Sequence, residues 1–412
     1  MKLRSFYLLL IGVLVALSAV MVQAQSASTC DIDSGYSAVL NDRYGLAFDG
    51  AVSQSDFIDS LVALTGETAT PEGVDLDGFT GLEAVITALY YVNLDELTVT
   101  FTDAKVDEAL AGLALAADLD LARRQELAAA LDAGLFDPAC AADFDLSGEV
   151  DADFATYLLG RVLEVTGQYK NYIGYTLDPD IYSRLIYAWN SFDQVFEPEL
   201  QAPAVDLIRE GVITGYNLKR TSHNANFDPE LSIVYGHANI THARQLIGLL
   251  RSEGINARVL LEPKTSAFLY LAEWGTPSTS PSFQVEALDD GNYIAYAKEY
   301  DLAFEFLSTE DRDRFNALIL AYADKDSADE PGLLLGSWWQ PLYSARVPLE
   351  DYVEVRNNVV YVGQFYLQSF SLIENSDAII AGFESAYPNG DIQTWDLWVN
   401  VSFHNYLLGL PN

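Results

Sequence analysis

The sequence predicts a mainly α-helical repeat domain at the N-terminus followed by an α+β domain. Three observations carry this reading. The composition changes near residue 168: before it, after the leader described below, the chain has neither Trp nor His, and its cations are Arg43, Lys105, Arg123, Arg124 and Arg161 against a large excess of Asp and Glu. All 6 Trp and all 4 His come later. The earlier part repeats one helical plan, and the later part alternates helical periods with strand-like runs. These observations give residues 25–168 as the repeat domain and 169–412 as the α+β domain, with 1–24 as a leader.

The leader comes first. Lys2 and Arg4 precede an apolar run ending at Val22, and Val22-Gln23-Ala24 offers small residues at the −3 and −1 positions of a cleavage site. The chain is therefore expected to be secreted, in the medium or at the cell surface, with no later stretch apolar enough to span a bilayer. A formal net charge of −38 repels phosphate backbones, so nucleic acid is excluded as a partner. Cys30 and Cys140 are the only cysteines of an exported chain, which reads as one disulfide. Two buried thiols are the alternative.

Three segments then share a pattern: "VSQSDFIDSLVALTG" (52–66), "FTGLEAVITALYYVN" (79–93) and "EVDADFATYLLGRVLEVTG" (149–167). Each opens on a polar or small residue and carries an acid three positions on (Asp56, Glu83, Asp153), which suits the positive end of a helix. Apolar residues follow at helical spacing, such as Phe57, Leu61 and Leu64. "FTDAK" (101–105) and "DAGLFDP…FDLSGEVDADFA" (132–155) complete the set. These residues resemble the S-layer-homology family, whose repeats hold exported proteins to cell-wall polysaccharide. The family's motif arginine is replaced by Gln54, Gly81 and Asp151. The resemblance thus implies the helical fold without the glycan-gripping cation. "DFDLSGEVDADF" (143–154) also imitates a calcium loop, but Phe154 stands where a bidentate Glu belongs.

In the later part, residues 178–196, 202–212, 242–254 and 311–325 have helical period. Residues 257–262, 282–288, 292–306, 357–367 and 394–403 read as strands. The stretch Leu249, Arg251, Gly254, Ile255, Ala257, Arg258 resembles the ending of the catalytic helix in the transglutaminase-like, papain-related family. That resemblance implies a transglutaminase-like core. Its nucleophile position holds Asn239, and the strands that follow supply neither the histidine nor the aspartate of a triad. No catalytic residue and no cofactor or metal is assigned on this basis.

Binding candidates remain. His237 and His242 flank the helix start and could hold a metal with Glu262 as third ligand, but capping by His237 and packing of His242 on the helix flank is the favoured reading. Glu262 with Lys264, Glu273 with Trp274, and Trp338 with Trp339 bring carboxylates and aromatic rings together, as sugar- or peptide-stacking platforms do. The expectation is an exported cell-envelope protein that binds cell-surface glycan or peptide without catalysis. Two alternatives stand beside it: a wall-polymer hydrolase using Glu262 with Glu273, Glu299 or Glu305, or a histidine-held metal, and a purely structural envelope protein.

Overall fold

The computed structural model of the protein describes residues 30, 33, 35–67, 79–192, 196–323 and 341–410. The leader read at 1–24 lies outside them. The chain divides into two compact units after Tyr169.

The first unit is built from helices α1 (Gly35–Tyr44), α2 (Gln54–Thr65), α3 (Gly81–Tyr91), α4 (Asp103–Ala109), α5 (Leu121–Asp132) and α6 (Ala152–Val165), joined by short 3₁₀ turns. In two repeats the residue three before the acid proves to be an N-cap, and in the third the cap is Asp151, two before Asp153. Ser53 accepts the amide of Asp56, Thr80 that of Glu83, and Asp151 that of Phe154. At α2 the acid completes the cap from the other side, since the Ser53 hydroxyl also donates to Asp56 (2.7 Å). The apolar stripes of these helices, including Phe57, Leu61, Val85, Leu89, Leu158 and Val162, fill one core.

Two glycines are sterically required there. A Cβ on Gly160 would sit 2.2 Å from the Tyr36 ring, so a hydrogen at this position lets the ring lie on α6 while its hydroxyl donates to Glu164 (2.8 Å). A Cβ on Gly81 would meet Phe154 at 2.5 Å and the Asp145 carbonyl at 2.8 Å. The segment that imitated a calcium loop is a turn closed on itself, in which Asp145 accepts the amide of Ser147 through its side chain and that of Gly148 through its carbonyl. Cys30 and Cys140 form the disulfide, closing a separation of 110 residues.

Among its described residues the second unit holds ten strands: β1 (Gly174–Tyr175), β2 (Gly215–Arg220), β3 (Ser232–His237), β4 (Ala257–Tyr270), β5 (Phe283–Ala287), β6 (Tyr293–Phe306), β7 (Tyr343–Ala345), β8 (Tyr352–Val362), β9 (Phe365–Ser371) and β10 (Asp391–Asn400). Eight of them close into an antiparallel barrel in the order β4-β2-β9-β8-β10-β7-β3-β6, and β6 returns to β4. β4 and β6, each 14 residues long, pair along their whole length, from Ala257 opposite Phe306 to Tyr270 opposite Tyr293. Each long strand has a second edge shared by two neighbours. β4 takes β1 at its start and β2 further on; β6 takes β5 at its start and β3 further on. This stagger is the shear that closure demands.

The outer face of the barrel is apolar and covered by helices. α7 (Ile181–Ser191) and α9 (Ile240–Ser252) pack over Val259, Leu261, Leu302 and Phe304. α8 (Pro198–Arg209) and α11 (Ser376–Ala386) pack over Tyr216, Leu218, Ala267 and Leu367. α10 (Thr309–Leu318) adds Phe315 to the first of these cores. Inward-facing Phe268, Ala295, Phe370 and Leu397 meet Phe403 and Tyr406 of α12 (Val401–Leu407). Among the described residues, no helix is long and apolar enough to cross a membrane.

The closed barrel corrects the expected fold class, an α+β domain with a transglutaminase-like core. The physical reason lies in segments whose polar side chains look loop-like in sequence. Residues 263–268 continue β4 although Pro263, Lys264, Thr265 and Ser266 suggest a strand end, and "GYNLKR" forms β2. Their polar face points into the barrel, where it finds partners, and their apolar face points out to the helices. The run 357–367, read as one strand, is a hairpin of β8 and β9 turning at Gly363, whose φ is 60°.

The disulfide yields a direct prediction. Reducing Cys30–Cys140 releases a loop of 110 residues, which should lower the stability of the first unit by about 4–5 kcal/mol in the chain-entropy model. Urea unfolding with and without reductant, followed by a probe in that unit, measures this.

Candidate functional site

Strand alternation decides what faces the barrel interior. On β4 it is Leu260, Glu262, Lys264, Ser266 and Phe268; on β6 it is Ala297, Glu299, Asp301 and Ala303, each opposite its β4 partner. β2 contributes Asn217 and Lys219, and β9 contributes Tyr366 and Gln368. A layer of charge therefore lies in the barrel, with apolar contacts at Leu260 and Ala303 on one side and at Phe268 and Ala297 on the other.

Within this layer Lys219 Nζ donates to Glu262 Oε2 (2.8 Å) and to Asp301 Oδ2. Lys264 Nζ donates to Asp301 Oδ1 (2.5 Å), and Tyr366 Oη donates to Glu262 Oε1 (2.7 Å). Ser266 Oγ bonds Asn217 (2.7 Å) and Glu299. The side chains of Lys219, Glu262, Lys264 and Asp301 are at most 10% exposed. Burial opposes the charge on Asp301, but the two ammonium groups beside it outweigh that and hold its carboxyl down at about 2. Burial likewise opposes the charge on Lys219, and Asp301 and Glu262 together hold its pKa well above the ordinary lysine value.

The histidines lie on the other face of the wall. His237 ends β3, and its Nδ1 accepts the amide of Asn239 (2.8 Å). His242, in the first turn of α9, shares a 3.0 Å hydrogen bond between its Nδ1 and Tyr235 Oη. The two rings are 4.4 Å apart. Asn239 is the N-cap of α9: its side chain accepts the amide of Thr241 (3.0 Å) and its carbonyl accepts Tyr300 Oη (2.8 Å). At this helix start the carboxamide thus has a capping partner. Burial, with His242 and Lys264 adding to it, pushes the pKa of His237 down to about 3, so the ring is neutral. Among the described residues, no three His, Cys, Asp or Glu are grouped to hold a metal ion.

The structure brings together some of the sequence-derived candidates and separates others. Glu262 and Lys264 share the barrel interior, and His237, Asn239 and His242 share the start of α9. Glu273 and Trp274 belong to neither group. They lie in the turn Ala272–Trp274 beyond the end of β4, where the Trp274 ring packs on Tyr270 and Tyr406 and Glu273 is exposed. Eight residues of continuous strand, about 27 Å, run from Glu262 to Tyr270. That exceeds the roughly 5–10 Å between the carboxyl groups of a glycosidase pair. Trp338 and Trp339 lie outside the described residues.

Sequence reading missed Lys219, Asp301 and Tyr366, which complete the charge layer. It also missed a surface built by residues 172–187. Tyr172 and Tyr175 meet edge to face (5.6 Å), and the Arg258 guanidinium covers both rings at 5.6 and 5.8 Å. Arg251 covers Tyr182 at 5.7 Å and donates to the carbonyls of Thr176 and Asp178. The signal was present as tyrosines at 172, 175, 182 and 187 in a segment that otherwise reads as a helix and its lead-in. No family model, no curated protein and no solved structure matches the chain.

Two predictions arise here. Lys219→Ala leaves Glu262 and Asp301 short of a buried cation and should cost about 3–5 kcal/mol, measured by urea unfolding. The second concerns pH. His237 stays neutral in the folded protein down to about pH 3, whereas in the unfolded chain it takes up a proton near pH 6.5. The unfolded state therefore holds more protons between these values, and stability falls as pH falls through that window, by up to about 1.4 kcal/mol per pH unit. Between pH 6.5 and 5, His237→Gln should show a flatter stability profile than the wild type.

Proposed function

We propose that the protein is an exported envelope or surface protein that binds neutral glycan without catalysis. Export is supported by the leader of Lys2, Arg4 and the apolar run to Val22, and it suits a chain with a Cys30–Cys140 disulfide.

The absence of catalysis is argued from the acids. Both oxygens of Glu262 are engaged, one by Lys219 and one by Tyr366, within a water-excluding wall. A glycosidase acid needs a raised pKa and a sugar beside it. Glu262 instead faces a cation, and Glu273 is at the far end of the strand.

The observation that carries the binding assignment is the tyrosine surface. Tyr172 and Tyr182 are 46% and 38% exposed. Arginines brace both rings, and Asp178, Asp180 and Arg184 stand beside them, joined by the hydrogen bonds of Arg184. Aromatic faces stack on the apolar faces of sugars, and flanking carboxylates and guanidinium groups suit hydroxyls. The strongly negative chain favours an uncharged polymer over an anionic one.

The test is retention on a panel of neutral wall polysaccharides. Tyr172→Ala and Tyr182→Ala should each weaken binding about tenfold, near 1.4 kcal/mol, with folding unchanged by circular dichroism. Failure of the wild type to bind any panel member, or turnover of a glycan by the wild type, would count against the assignment. Recovery of the protein only from inside the cell would count against export.

A further inference from the structure

The charge layer of the barrel has the parts of a condensation site. We infer that Lys219 and Asp301 are joined by an amide bond between their side chains, formed by the protein itself.

The reacting groups are in contact and shielded from water. Lys219 Nζ is hydrogen-bonded to the Asp301 carboxylate and, at 2.8 Å, to Glu262 Oε2. Glu262 and Asp301 are direct register partners on β4 and β6, so their carboxyl groups emerge side by side. All three side chains are at most 10% exposed. The Asp301 carboxylate accepts a second cation on its other oxygen, with Lys264 Nζ 2.5 Å from Oδ1. Glu262 is itself fixed by Tyr366 Oη at 2.7 Å. Gly236 stands over the pair, where a Cβ would come within 3.1 Å of Asp301 Oδ1 and 3.2 Å of Lys264 Nζ.

Each group has a role. The amine of Lys219 is the nucleophile, the Asp301 Cγ the electrophile, and Glu262 the proton carrier between them. Lys264 stands where negative charge develops on Oδ1. The ion pair first passes a proton from Nζ through Glu262 to Oδ2. The neighbouring charges hold the resting pair ionised, so the transfer passes through a minor neutral form, in which two buried charges are removed at once. The Nζ lone pair then forms the C–N bond as the C=O electrons move to Oδ1. A second Nζ proton reaches Oδ2 by the same carrier, the C–O bond breaks, and water leaves. An ammonium and a carboxylate become one secondary amide and one water, with no net change of charge and no outside reagent. Holding the two groups in contact supplies an effective concentration of roughly 10⁵–10⁸ M.

The product ties β2 to β6, which lie on either side of β4. Lys219 and Asp301 are 82 residues apart in sequence.

Intact-protein mass spectrometry of the purified full chain tests this. With the disulfide accounted for, the wild type should be lighter than its sequence by one water, and digestion should yield one branched peptide joining Lys219 to Asp301. Trypsin should not cut after Lys219. Glu262→Gln and Lys219→Met should each restore the full mass. A wild-type mass lacking no water overturns the inference, and so does a water loss that maps to peptides other than this pair. Retention of the bond in Glu262→Gln also overturns it as written. The wild-type measurement is decisive even where a variant does not fold.

Discussion

Folding of the second unit, before any bond joins Lys219 to Asp301, depends on the mutual neutralisation of Lys219, Lys264, Glu262 and Asp301 inside the barrel. Four ionised groups excluded from water would each oppose folding strongly. They are tolerated because three different strands deliver them to one another at hydrogen-bonding distance. Closure of the barrel and satisfaction of the charges are one event, since β2, β4 and β6 each contribute members. The arrangement also fixes the register of β4 on β6. A slip of one residue would turn Glu262 and Lys264 toward the helices and Leu261 toward the carboxylates.

An inverted barrel follows from this. Around the charged layer polar side chains point inward and apolar ones outward, so the outer wall needs a cover, and helices α7, α8, α9 and α11 supply it. The same cover places the tyrosines of residues 172–187 on the surface. Tyr182 is exposed on the flank of α7, while Ile181 and Leu185 of the same helix are wholly buried. The functional assignment therefore rests on the amphipathicity of one helix laid over a wall that turns its own hydrophobic side outward.

Local features were legible in the sequence, and the long-range closure was not. The polar openers at Ser53, Thr80 and Asp151 mark helix starts because capping is a contact between near neighbours. The expected disulfide is also present. Glu262 and Lys264 attracted notice as a carboxylate and an amine two residues apart, which places them on one face of a strand. Their partners, Lys219 and Asp301, were not visible, because nothing local links residue 219 to residue 301. The barrel was missed for a related reason. Inward-facing Asn217, Lys264 and Ser266 make their strands look like loops until the opposite wall is known. Glu273 and Trp274 were grouped with Glu262 by sequence proximity alone, and an extended strand carries them apart.

The pairing of β2 with β9 has a consequence for how the molecule is made. The Ser369 hydroxyl bonds the Gly215 carbonyl across 154 residues of chain. Loop closure over such distances is slow, whereas the helices and the β8–β9 turn form from neighbours. During synthesis β2 emerges early and has no partner on that side until nearly the whole polypeptide has followed. Nascent chains would thus carry a bare strand margin, which invites mispairing between copies. Completion of β2 on that margin therefore waits for β9, and a change that unseats β9 is felt first at β2.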